Sequence, residues 1–375
     1  MVQVKLLDIC DAYQPQTIST KQFVKDGKYL VYGANGVIGR YSEYNHKDTE
    51  VVMACRGATC GAINVSSPYS WINGNAMVIH PNGKMPLSKK YLQYFMIFAN
   101  KNSIISGTAQ PQITRQNMKD FTIPICSVES QERIVARIEE LFSELDNGVE
   151  TLKKTKEQLA VYRQTVLNNA FQSVVEKRPI REMSSIVTSG SRGWAKFYDD
   201  NGARFIRITD LTRNKICLKN NDIQCVLLPE NAEGKRSRLM ANDVLVSITA
   251  DLGSIALVPD AIGEAYINQH IAMIRFNNPM QGKYMAWYLK SDLGQKDLLK
   301  NKRGGGKLGL GLDDIRDTPV PIVSDDVAKC TIAYIDSQMS VCDSIEQTVD
   351  VALQQAEAMR QSILRTVFEG GLSNV

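Results

Sequence analysis

Two stretches of this chain of 375 residues gather side chains suited to holding a polyanion and sensing its edges. ISGTAQPQITRQNMKD, residues 105–120, packs Thr108, Gln110, Gln112 and Arg115 into one polar run. The amides and hydroxyls both donate and accept, and the guanidinium can take a phosphate or the paired acceptors of a guanine. KNKRGGGKLGLGLDDIRD, residues 300–317, sets Lys302, Arg303 and Lys307 around three glycines. Without Cβ atoms the backbone there can approach a phosphate closely, and the cations supply charge. A solvated flexible turn is the alternative reading of this second stretch.

Single residues near expected strand ends extend the set. Tyr32, Asn35 and Arg40 lie in VYGANGVIGRY, an aromatic, amide and basic mixture fit for groove contact or, equally, for building a turn. Arg56 in ACRGATCG is placed for a phosphate, a guanine or a surface salt bridge. SRGWAKFY holds Arg192 and Lys196 beside Trp194, which reads as a packing residue, and RFIRITDLTR holds Arg207 and Arg213. Asn73 in WINGN and Asn268 in YINQH occur in matching peptides and read as scaffold. Contacts that specify a sequence should differ between two unequal readers.

Motifs for self-contained catalysis are missing from the sequence. GGGKLG at 304–309 lacks the Ser or Thr of a nucleotide-binding P-loop, and GANGVIG at 33–39 lacks the spacing of a dinucleotide fingerprint. There is no Asn/Asp-Pro-Pro-aromatic tetrapeptide, no GxSxG and no HExxH. Adjacent carboxylates at Asp199–Asp200 and Asp313–Asp314 are neighbours in sequence, which does not place them in one site. The expectation is a chain that is not an enzyme.

Composition sets the remaining bounds. Eight cysteines without a CxxC pair and three histidines favour reduced thiols used as small apolar residues over a metal site. A net charge of +4 requires any acidic partner to be met by local clustering. No run approaches the roughly 18 to 20 apolar residues of a membrane span, and MVQVKLLDIC is not laid out as a signal peptide, so a cytoplasmic location is expected.

An internal repeat shows what must position these loops. RQSILRTVF at 360–368 resembles RQTVLNNAF at 163–171, and the offset of 197 also superposes Asp120 on Asp317, Pro124 on Pro321, Ile138 on Ile335, Asp146 on Asp343 and Gln158 on Gln355. Behind each polar-Ile/Val-Pro-Ile strand end, apolar residues step by three and four. The first seam reads Ile134, Ile138, Leu141, Leu145, Val149, Leu152, Leu159, Tyr162, Val166 and Ala170; the second reads Ile335, Met339, Cys342, Ile345, Val349, Ala356, Met359, Ile363 and Val367. A helix of about 44 residues is roughly 65 Å long. The matched seams predict that the two helices pack on each other as a coiled coil, with Gly148 and alanines permitting close approach.

The predicted fold is therefore α+β: two globular α/β units, residues 1–125 and 174–322, separated by a long antiparallel two-helix coiled coil. Its helices lie in 126–173 and 323–375, with pseudo-twofold internal repetition.

Two globular units each followed by a long helix, TAQPQITRQNMKDFTIPICSVESQERIVARIEELFSELD at 108–146, and the terminal RQ-[ST]-[VI]-L-xxx-F peptides together resemble the specificity subunits of type I restriction–modification systems. The resemblance covers essentially the whole chain, with GGGKLGLGLDDIRDTPVPI as the more worn second copy. It implies a non-catalytic subunit whose two target-recognition domains read the halves of a bipartite double-stranded DNA target. The paired helices would set the spacing and dock two methyltransferase subunits, with motor–nuclease subunits joining through the complex. It also implies that this chain binds no cofactor, with S-adenosylmethionine, ATP and Mg on the partner subunits. A coiled-coil scaffold whose globular ends bind proteins without DNA sequence preference is the competing reading.

Overall fold

The computed structural model describes residues 2–107, 110–229, 235–300 and 309–369. The chain forms two compact units, Met1–Leu152 with Val351–Val375, and Lys153–Asp350.

In the first unit the strands Cys10–Tyr13, Ala76–Pro81, Val51–Ala54 and Ile63–Val65 form an antiparallel sheet in that order. A second sheet orders Gly36–Tyr41, Tyr29–Gly33 and Trp71–Ile72, the last two parallel. Val51–Ala54 is buried on both faces because successive side chains point to opposite sides of a strand. Val51 and Met53 enter the core with the helix Lys89–Phe98, whereas Val52 joins Tyr32, Ile72 and Val78 beneath the smaller sheet.

The second unit repeats the plan. Ser184–Ser189, Ile271–Phe276, Val244–Ser247 and Ile255–Leu257 form one sheet, and Ala203–Ile206 pairs in parallel with Ala265–Ile267 in the other. Val244 and Val246 face the core holding the helix Pro279–Lys290, and Leu245 faces the opposite cluster. The scaffold asparagines are buried at matching places: Asn73 donates its backbone N–H to the Tyr32 carbonyl, and Asn268 to that of Ile206.

The long helices run Val128–Phe171 and Asp325–Glu369. They start alike. Ser127 Oγ accepts from Ser130 N at 3.3 Å and Ser324 Oγ from Val327 N at 3.4 Å, each satisfying an otherwise orphaned first-turn donor. They end alike too: Phe368 packs edge-on against Tyr91 in the first unit, and Phe171 against Tyr288 in the second, both at 5.4 Å between centroids. The duplicated RQ peptides thus deliver an aromatic plug to each globular core.

Within each unit the helix segments pair antiparallel. In the second unit Lys156 meets Asp350 at 2.7 Å, and Arg163 meets Asp343 at 2.6 Å and Glu346 at 3.1 Å. In the first unit Arg360 pairs with Asp146 and lies over the Phe142 ring. Arg163–Asp343 and Arg360–Asp146 are counterparts at the repeat offset of 197. These pairs correct the expected seam. Tyr162, Ile345 and Met359 are exposed, and Arg163, Glu346 and Arg360, each one residue on, take the inward positions. Apolar periodicity misses an arginine whose aliphatic stem is covered while its head finds a carboxylate on the other helix. Gly148 likewise faces open space instead of a neighbouring helix. No helix of the described residues is long and apolar enough to cross a membrane.

Candidate nucleic-acid interface

Each unit carries a polar cleft built the same way. In the first, the strand Val51–Ala54 runs out into Arg56, and Gln112 bridges to it while Ile113 N donates to the Cys55 carbonyl at 3.0 Å. In the second, Val244–Ser247 runs out into Thr249, Gly309 bridges to it, and Leu310 N donates to the Ile248 carbonyl at 3.0 Å. The loop ahead of each Pro-containing strand is thereby stitched to a sheet end. Ser106 and Gln112 close the first loop with two backbone hydrogen bonds of 2.8 Å, and Gly107, at φ +85°, makes the turn that an L side chain would strain.

The first cleft, about 320 Å³, is lined by Tyr13, Gln14, Arg56, Gln112, Thr114 and Arg115 with Ala12, Met77 and Ile113. The second, about 740 Å³, is lined by Ser189, Ser191, Arg192, Arg236, Thr249 and Gln269 with apolar residues and glycines. Among the described residues no carboxylate lines either cleft, and Arg56, Arg115 and Arg192 make no ion pair. Two arginines in an acid-free concavity focus positive potential where a polyanion would enter.

Of the residues singled out in the sequence, the structure brings Arg56, Gln112 and Arg115 together in the first cleft and puts Arg192 in the second. Gln110 is exposed on the first loop. Others have local employment. Tyr32 is a core residue whose hydroxyl is 2.9 Å from Ser67 Oγ, so it presents no groove-facing ring. Asn35 accepts from Thr59 Oγ1 at 2.5 Å, and Arg40 donates to the Gly27 carbonyl at 3.1 Å. Lys196 lies 4.9 Å over the Phe197 ring, and Trp194 is buried on Phe205. Arg207 is held by Asp222 at 3.2 Å and Asp210 at 3.6 Å, while Arg213 Nε donates to Asp251 at 2.8 Å. The Arg213 guanidinium holds the Asp251 carboxyl below its usual range, so both charges are spoken for. Thr108, Lys302, Arg303 and Lys307 lie outside the described residues.

Sequence reading missed Tyr13, Gln14, Ser189, Thr249 and Gln269, which come from strand ends far from the loops in the chain, and Arg236, from a short 3-10 turn. Tyr13 Oη lies 3.0 Å from His46 Nε2, and burial raises the phenol's pKa. A half-buried lysine, Lys101, and a buried one, Lys290, brace the units. Lys101 Nζ donates to the carbonyls of Met96 and Ala99, and Lys290 Nζ to that of Thr212; burial pushes each down to about 8. Among the described residues no group of His, Cys, Asp and Glu is arranged to hold a metal ion.

Residues 1–160 match the family described as type I restriction modification DNA specificity domain. The matched stretch includes the whole first cleft and most of the first long helix. Beyond it, the chain is 22% identical over 302 residues to the type I restriction enzyme EcoBI specificity subunit of Escherichia coli, covering 72% of this chain and 63% of that protein. The match therefore spans less than two thirds of that relative's length. A solved chain from work on complex assembly and conformational transition of the type I R-M system superposes with a TM-score of 0.72 at 15% identity, covering 98% of this chain and 97% of the other. That likeness carries the fold, two α/β units with a pair of long helices, over 98% of the chain.

Proposed function

We propose that this chain is the DNA-reading subunit of a type I restriction–modification complex, non-catalytic itself, with each cleft taking one half of a bipartite double-stranded target. The observation that carries the reading is the pair of equivalent, arginine-bearing clefts, lined by no carboxylate among the described residues, whose linings differ almost completely between the units. A duplicated scaffold with unlike linings suits two unlike half-sites. Arg56, Arg115 and Arg192 supply phosphate or guanine contacts, and the amide and hydroxyl side chains read base edges. The paired helices set the half-site spacing and dock two methyltransferase subunits, through which motor–nuclease subunits join. S-adenosylmethionine, ATP and Mg belong to those partners.

The test is adenine methylation mapped genome-wide in cells expressing this chain with a cognate methyltransferase subunit, against cells lacking this chain. One split motif present only with the chain is expected. Active methyltransferase in a stable complex with no chain-dependent motif would overturn the reading in favour of a protein-binding scaffold.

A further inference from the structure

One imidazole in the second unit links two side chains of the second cleft. His270 Nδ1 lies 2.7 Å from Thr249 Oγ1, and its Nε2 lies 2.9 Å from the side-chain nitrogen of Gln269. The main chain of His270 is anchored. Its backbone N–H donates to Asn268 Oδ1 at 3.1 Å, and its carbonyl accepts from Ile248 N at 2.9 Å, which ties it to the strand that carries Thr249.

A neutral imidazole has one N–H donor and one lone-pair acceptor. With the Gln269 amide nitrogen donating to Nε2, the proton sits on Nδ1 and goes to the Thr249 oxygen. The Gln269 carbonyl oxygen is then left as an acceptor for the cleft, and the Thr249 hydroxyl turns its own proton outward. If the amide and the tautomer both reverse, Gln269 offers N–H and Thr249 offers a lone pair. The polarity of one group is thus tied to the opposite polarity of the other.

We propose that His270 sets the hydrogen-bonding polarity of Thr249 and Gln269, and that this pair reads an adenine in the half-site bound by the second cleft. Adenine shows one acceptor, N7, beside one donor, N6–H, in the major groove, whereas guanine shows two acceptors, N7 and O6. A coupled donor and acceptor match the first edge and leave the second half-satisfied. His270 acts as a positioning residue; Thr249 and Gln269 make the contact.

The matched peptide of the first unit lacks this pair. The counterparts of Gln269 and His270 in the matched peptides are Gly74 and Asn75. A Cβ on Gly74 would lie 2.4 Å from the Pro15 carbonyl oxygen, so a side chain is excluded from that position in the first unit.

The inference rests on the proposed DNA-reading function, and one experiment separates the two. Methylation motifs are mapped for the unaltered chain and for His270→Ala, Gln269→Ala and Thr249→Val. Absence of a bipartite motif with the unaltered chain overturns the function itself. Given such a motif, His270→Ala is expected to leave one half-site and the spacer unchanged while relaxing a single adenine position of the other half by about 10-fold or more. A merely structural role for His270 would lower methylation overall without moving preference at one base. An unchanged motif with His270→Ala overturns the inference. Should His270→Ala abolish methylation, Gln269→Ala and Thr249→Val decide, since they remove the cleft groups and spare the ring: relaxation at the same adenine supports the inference, and an intact motif sinks it.

Discussion

The two repeat-related ion pairs between the long helices should differ in worth although they use the same residue types. In the second unit the Arg163 side chain is 8% exposed and is met by Asp343 and Glu346, whose side chains are 43% and 24% exposed. In the first unit Arg360 is 27% exposed and Asp146 is 59% exposed. Asp146→Ala leaves a guanidinium that water can reach, so its cost is expected within about 1 kcal/mol, the range of exposed pairs. Asp343→Ala with Glu346→Ala strands a covered guanidinium. Breaking a fully buried pair costs about 3–5 kcal/mol; partial hydration of these carboxylates brings the expected cost to about 3 kcal/mol. Arg163→Met removes the buried charge and keeps an apolar stem, and should stay within about 1 kcal/mol of the unaltered chain. Urea denaturation at pH 7 of the three variants reads the differences from midpoints at constant slope. Equal losses for Asp146→Ala and the Asp343/Glu346 double variant, or a loss for Arg163→Met as large as that of the double variant, would refute the argument that burial sets the value of each pair.

Arg56→Ala and Arg115→Ala, if each removes a phosphate contact, should flatten the dependence of log K on log salt by about 0.9 apiece in duplex-binding titrations; an unchanged slope removes the first cleft from the DNA interface. Lys302, Arg303 and Lys307 changed together to Ala should flatten it further, again with an unaltered slope as the contrary result. Burial lowers Lys290 from 10.5 to about 8, so between pH 8 and 10 the unfolded chain holds a proton that the folded chain has shed. Stability should therefore rise across that window, and Lys290→Met should remove that residue's share of the rise; equal slopes of stability against pH in the two proteins would contradict this. Gly74→Ala, whose Cβ would press on the Pro15 carbonyl, should cost about 1–3 kcal/mol by thermal melting, and no loss would show that the loop gives way freely.

The sequence by itself determined the repeat, the two long helices and the α+β plan of two units. These depend on local signals: three-four apolar spacing, prolines ahead of each helix, and a 197-residue offset without gaps. It also located Arg56, Gln112 and Arg115, because a polar loop and a strand exit announce themselves in composition. Tertiary structure decided which charges stay unpaired. Arg207 and Arg213 look like Arg56 in sequence, but Asp222 and Asp251 lie 15 and 38 residues away and close on them only in the fold. The same holds for the helix seam, where Arg163 and Arg360 take the inward places expected of Tyr162 and Met359 because their carboxylates sit on the opposite helix. Thr249, His270 and Gln269 come from two strand ends, and nothing in either peptide signals the imidazole that joins them. Periodicity reports which face of an element is covered; which groups meet across the cover depends on long-range pairing that local pattern does not encode.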